Sequence, residues 1–194
     1  MKKHKINFKK NSIMMLSLIV VIALGILFID ILKNKTEKEI ELGGRFLLID
    51  QNEMNFDSKT SKKNKLIYFG YTYCPDVCPF DILKLSKFID KNPHLKKKLD
   101  FIFITVDPDR DQPQQLKNFL ENFNSSIIGL TGSKRQIEEV IKNFRIFVKI
   151  HKNSSDDENY LVDHSSLFFL VDKNDEYLAH FRPSDFDSKI QSLL

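Results

Sequence analysis

Cys74 and Cys78 are the chain's only cysteines, and three residues separate them in Tyr73-Cys74-Pro75-Asp76-Val77-Cys78-Pro79. A disulfide across so short a loop constrains almost nothing, so the pair is a poor structural staple. It follows a nearly continuous apolar run, Leu66 to Tyr71, and precedes a helical period at Ile82, Leu85, Phe88 and Ile89. Cys74 is thus expected in a strand-to-helix turn and Cys78 near the first helical turn, where unpaired N–H groups and the helix dipole favour thiolate over thiol. Two such sulfurs either exchange electrons or hold a soft metal. Two inert buried cysteines would not explain the flanking prolines.

A thioredoxin-type redox pair has two intervening residues, whereas three widen the bite between sulfurs and suit a metal better, a weak discriminator taken alone. His164 tips the balance toward metal. It lies in Val162-Asp163-His164-Ser165-Ser166, just ahead of the apolar stretch Leu167 to Val171, and in a thioredoxin-like sheet the loop entering that strand faces the cysteine turn. Two thiolates and one imidazole favour Cu(I), which accepts soft ligands and low coordination. Structural zinc would want a fourth protein ligand. Asp76, Asp107 and Asp109 are the candidates for it, but Asp76, between the cysteines, is expected to point away. Asp107-Pro108-Asp109-Arg110-Asp111 ends a strand at the same rim, and its acids are expected to hold the loop through Arg110, with guidance of a cationic partner as the other use. His4, His94, His151 and His180 read as residues outside the site.

The surrounding elements supply the scaffold. Strand candidates Phe46–Ile49 and Met54–Phe56 flank a polar turn, and Phe101–Val106 is a second buried strand. A helix carrying Leu116, Phe119, Leu120 and Phe123, a strand at Ile127–Leu130 and a helix at Ile137, Val140 and Ile141 come next. Ile146–Ile150 reads as a strand, Lys152–Glu158 as a polar loop, and Leu167–Val171 with Tyr177–Phe181 as an antiparallel hairpin; Ser184 is a candidate cap for a last helix. Strands alternating with helices predict an α/β domain.

Hydrophobic residues make up 42% of the 194 and charged residues 29%, with 17 Phe and no Trp, a composition that excludes wholesale disorder and suits one globular domain. The net charge of +4 resides in the tail, since residues 1–12 hold five lysines and no acid, and the remaining 25 basic residues face 26 acidic ones. The body therefore has no basic excess for nucleic acid. Ile13 to Ile29 is free of charge, and Asp30-Ile31-Leu32 extends it to the length of a membrane-spanning helix. The expected organisation is a cytoplasmic basic tail at 1–12, an uncleaved anchor at 13–32, a linker at 33–41 and an exported domain at 42–194.

Four segments, taken in order, resemble the Sco/SenC family: Gly43-Gly44-Arg45-Phe46 with Asp50-Gln51, Gly70 to Pro79, Val106 to Asp111, and Val162-Asp163-His164-Ser165. The resemblance implies a thioredoxin-like mixed sheet flanked by helices behind an N-terminal transmembrane helix, and copper held by Cys74, Cys78 and His164. It further implies delivery of copper to the CuA site of cytochrome c oxidase subunit II, or reduction of that subunit's cysteines, at a bacterial inner membrane with the domain in the periplasm. Another copper chaperone would then be a further partner. The alternatives are a thiol-disulfide oxidoreductase or peroxide-handling enzyme, and a copper-responsive redox sensor.

Overall fold

The computed structural model describes residues 8–36, 42–152 and 159–193. In chain order these form α1 (Phe8–Thr36), β1 (Leu47–Asp50), β2 (Asn55–Asp57), β3 (Asn64–Gly70), α2 (Val77–Lys91), β4 (Leu99–Thr105), α3 (Pro113–Leu120), β5 (Ile127–Thr131), α4 (Lys134–Phe144), β6 (Val148–His151), β7 (Leu161–His164), β8 (Phe168–Val171), β9 (Tyr177–Phe181) and α5 (Phe186–Ile190). The chain divides into two compact units, residues 1–40 and 41–194.

In the second unit, β3 and β4 are Leu-, Ile- and Phe-rich runs without polar alternation, as strands buried on both faces require. They pair in parallel at the centre of a seven-stranded sheet of order β2-β1-β5-β4-β3-β8-β9, with β5 parallel to β4 and the outer strands antiparallel. Successive side chains face opposite sides of a strand, and the aromatic residues show which helices cover each side. Tyr68, Phe103 and Phe168 form a cluster that meets Phe119 of α3 and Phe186 of α5, and Phe186 in turn meets Phe88 of α2 edge-on. Phe69 and Phe169 instead pack against Phe144 of α4. β6 and β7 form a separate two-stranded antiparallel ribbon.

At the far end of β3 from the cysteines, Lys65 is fully buried, with Nζ 2.7 Å from the equally buried Asp175 carboxylate. Ser58 donates its hydroxyl to the same carboxylate at 2.7 Å. Asp175 adopts a left-handed φ of 69° in the turn between β8 and β9, and its carbonyl accepts from Gly44 N–H at 2.9 Å. One turn thereby ties the start of the domain, β3 and the terminal hairpin together.

The expected mixed sheet with flanking helices is the observed architecture. Residues 161–164, expected as loop, are strand, because their short alternation pairs with β6 rather than with the main sheet. Asp185, not Ser184, precedes α5, and no side chain caps that helix. Among the described residues no helix is long and apolar enough to cross a membrane. The apolar side chains described in α1, from Met15 to Ile29, are exposed. Positions 1–7 of the expected tail, 37–41 of the linker and 153–158 of the polar loop lie outside the described residues.

Candidate metal centre

The end of β3 becomes a binding turn because Gly70 has no side chain. A Cβ there would stand 2.9 to 3.1 Å from Tyr68, Phe103 and the Cys78 sulfur, so only glycine lets α2 bring Cys78 this close to the strand. The turn that follows is pinned from below. Buried Asp111 accepts from Thr72 N–H at 2.9 Å and from the hydroxyls of Thr72 at 2.7 Å and Thr105 at 2.6 Å. Burial lifts its carboxyl to about 6 against these bonds. Cys74 N–H then bonds Tyr71 carbonyl at 3.3 Å, leaving Cys74 half-buried, while Cys78 on the first turn of α2 is fully buried.

His164 arrives from 86 residues away, and its Nε2 lies 3.1 Å from Cys78 Sγ. Nδ1 sits 3.2 Å from Ser165 carbonyl, which accepts only from an N–H. In the neutral ring Nε2 therefore presents its lone pair to the sulfurs; in the protonated ring it presents a proton. Tyr68 and Tyr71 hold the imidazole between them, each ring perpendicular to it with centroids 6.2 and 6.0 Å away. Just beyond, Ser166 donates its hydroxyl at 2.6 Å to buried Asp81 of α2, which also accepts from Tyr68 hydroxyl at 3.1 Å and pairs with Lys84. The loop after His164 is thereby fastened to the helix that carries Cys78.

The two sulfurs are electrostatically unequal. The Cys78 thiol donating to Cys74 pulls Cys74 down to about 3 against partial burial, with a smaller contribution from His164. The same hydrogen bond, with burial, pushes Cys78 up. The pair thus favours the thiolate at Cys74 and the thiol at Cys78. It follows that iodoacetamide should label Cys74 at pH 5 nearly as fast as at pH 8, whereas an ordinary thiol loses about a thousandfold in thiolate over that range. Peptide mass mapping reads the result; a rate at Cys74 falling tenfold per pH unit would overturn it.

Cys74, Cys78 and His164, distant in sequence, are brought together. Among the described residues no three His, Cys, Asp or Glu side chains form a ready-made metal cage, so holding an ion requires the trio to close on it. The acids stay apart from it: Asp76 is exposed at the start of α2, Asp109 is exposed, and Asp107 pairs with Arg110 at 2.6 Å as the loop reading expected. His151 pairs with Asp163 on the outer ribbon, His180 contacts Tyr177 hydroxyl, and His94 sits in a short 3-10 helix. Sequence reasoning missed Asp81, Ser166 and Tyr160. The one signal for Asp81 was an acid amid the apolar positions of α2.

A family model described as SCO1/SenC matches residues 34–193. The chain belongs to the SCO1/SenC family. This SCO1/SenC chain is 42% identical over 149 residues to an SCO2-like protein of Rickettsia prowazekii, covering 76% of the chain and 73% of that relative. Its fold is similar to that of Bradyrhizobium japonicum ScoI, solved with copper bound, at a TM-score of 0.70 and 35% identity over 79% of this chain and 99% of the other. It is also similar to BsSco, described as having a disulfide switch and as a member of the Sco family of cytochrome c oxidase assembly proteins, at a TM-score of 0.62 and 27% identity over 78% of this chain and 92% of that one. The sheet of the SCO1/SenC chain is accordingly the thioredoxin-like one of its relatives.

Proposed function

We propose that Cys74, Cys78 and His164 bind one copper ion as Cu(I), and that the protein hands this cargo on during oxidase assembly. The observation that carries the reading is the 3.1 Å approach of His164 Nε2 to Cys78 Sγ across 86 residues. The donor set fits: two sulfurs and an imidazole nitrogen are soft, and among the described residues no carboxylate joins them in a metal-binding group. Cys74 offers a thiolate without further deprotonation, so binding releases the Cys78 proton. Buried Cys78 and the tyrosine-held ring fix two ligands, while half-buried Cys74 is the one an acceptor reaches first.

The cargo's destination, on this reading, is the CuA site of cytochrome c oxidase subunit II, whose cysteines the same pair is also placed to reduce. Residues 13–32 serve as the anchor, in a bacterial inner membrane with the domain in the periplasm. Copper binding by ScoI and the oxidase-assembly role stated for BsSco support this assignment. A second reading, thiol-disulfide exchange, is favoured by the thiolate at Cys74 beside a protonated Cys78, the pairing of an attacking and a resolving thiol.

The two readings part at His164. His164→Ala is expected to weaken Cu(I) binding by at least the roughly 10–100-fold that loss of an outer-shell partner costs, with both thiols still titratable. Competition against a Cu(I) chelator measures it, with the cysteine reduction potential followed in parallel. Unchanged affinity beside a shifted potential would transfer the protein to the oxidoreductase class.

A further inference from the structure

His164 rides on a ribbon that makes no strand pairing with the main sheet. Among the described residues β6 and β7 pair only with each other, and an isolated two-stranded ribbon is at best marginally stable in water. Something outside it must fix the histidine relative to the cysteines. At its entry the ribbon meets Arg110, from the loop after β4. The guanidinium carbon sits over the Tyr160 ring, 3.5 Å from its centroid, and Nη1 donates to Tyr160 carbonyl at 2.9 Å. Its Nε bonds buried Asp107 at 2.6 Å, and Tyr160 hydroxyl closes the circuit by donating to the other oxygen of Asp107 at 2.6 Å. Tyr160 itself is buried and immediately precedes β7.

The same guanidinium also reaches the cysteine side. It lies 4.9 Å from the ring centroid of Tyr73 and 5.7 Å from that of Tyr71, the residues on either side of Thr72 in the turn leading to Cys74. Tyr71 hydroxyl in turn accepts from Val162 N–H at 3.3 Å, inside β7. One cation therefore touches both halves of the ligand set, the turn bearing Cys74 and the strand bearing His164.

We propose that Arg110, with Asp107 and Tyr160, is a positioning clamp that sets the His164 ribbon against the cysteine turn and so determines copper affinity without touching the ion. The proposal deepens the copper-binding reading and rests on it. Lysine cannot replace arginine here, because the clamp uses a planar fork that stacks and bonds at once, whereas an ammonium is a point charge.

The test uses Arg110→Lys, which keeps a cation beside Asp107 and so protects the fold, and Tyr160→Phe, which keeps the ring and removes only the bond to Asp107. In the metal-free protein, amide hydrogen exchange should quicken across residues 148–151 and 161–165 and stay unchanged in β3 and β4. Cu(I) affinity should fall about 10–100-fold in Arg110→Lys, the usual cost of losing an outer-shell partner. In a His164→Ala background the same substitution should cost less than about threefold, because the residue it positions is gone. Unchanged exchange in both variants overturns the clamp, as does an equal affinity loss in the two backgrounds. If His164→Ala alone leaves affinity intact, the copper reading fails instead, and the exchange measurement still decides the clamp.

Discussion

Replacing both sulfurs, Cys74→Ser with Cys78→Ser, is expected to lower Cu(I) affinity by more than about a thousandfold, the largest effect of any change in the domain. Loss of a partner that only supports a ligand already costs roughly 10–100-fold, and here two charged donors leave together. Serine nearly preserves volume, so Cys78→Ser leaves the packing under Gly70 almost unaltered while substituting a hard oxygen that stays protonated. A chelator competition on the singles and the double measures the series, with thermal unfolding as the control for fold. Retention of more than about a tenth of wild-type affinity by the double variant would remove the sulfurs from the site.

The second large effect is on stability. Lys65→Met leaves the Asp175 carboxylate with Ser58 as its remaining side-chain partner at a fully buried position. Breaking a buried pair by removing one partner typically costs about 3–5 kcal/mol. For a domain of this size that corresponds to a fall in Tm of roughly 6–20 °C. The companion Lys65→Met/Asp175→Asn, which removes both charges, is expected to recover part of the loss. Urea unfolding read by circular dichroism gives both values. A single-variant cost under about 1 kcal/mol would show that the pair is not desolvated. Copper affinity should hold, since Lys65 lies near the end of β3 opposite Gly70.

The buried strands were plain in the sequence because Leu66–Phe69 and Phe101–Ile104 carry their signal in composition alone, and the two cysteines because their spacing at a strand end has few other uses. β7 was not. Leu161-Val162-Asp163-His164 is a four-residue alternation with one buried member, Val162, and its partner β6 lies across an intervening polar stretch of sequence. Local pattern therefore could not distinguish it from the loop it was expected to be. The position of His164 follows from the place of its loop in a thioredoxin-like sheet, not from periodicity. Asp81 and Ser166 were invisible for another reason: each is an ordinary polar residue until the fold brings a helix and a loop 85 residues apart to 2.6 Å. Arg110 was legible as a loop holder through Asp107, but its seat on Tyr160 was not, since nothing in Asn159-Tyr160-Leu161 marks that ring as a lid over a cation.

The separate two-stranded ribbon has a practical corollary for reading genetic variants. Cooperative unfolding of the seven-stranded sheet and local opening of a small appendage are different transitions with different free energies, and a melting curve reports the first. A substitution that frees the ribbon is thus expected to yield a chain that accumulates to normal levels, resists proteolysis through its core and melts at the usual temperature, yet no longer holds the imidazole of the proposed site beside the cysteines. Abundance and metal occupancy become independent observables. A harmful allele in residues 148–151 or 161–165 is better sought by metal content per molecule than by the amount of protein present.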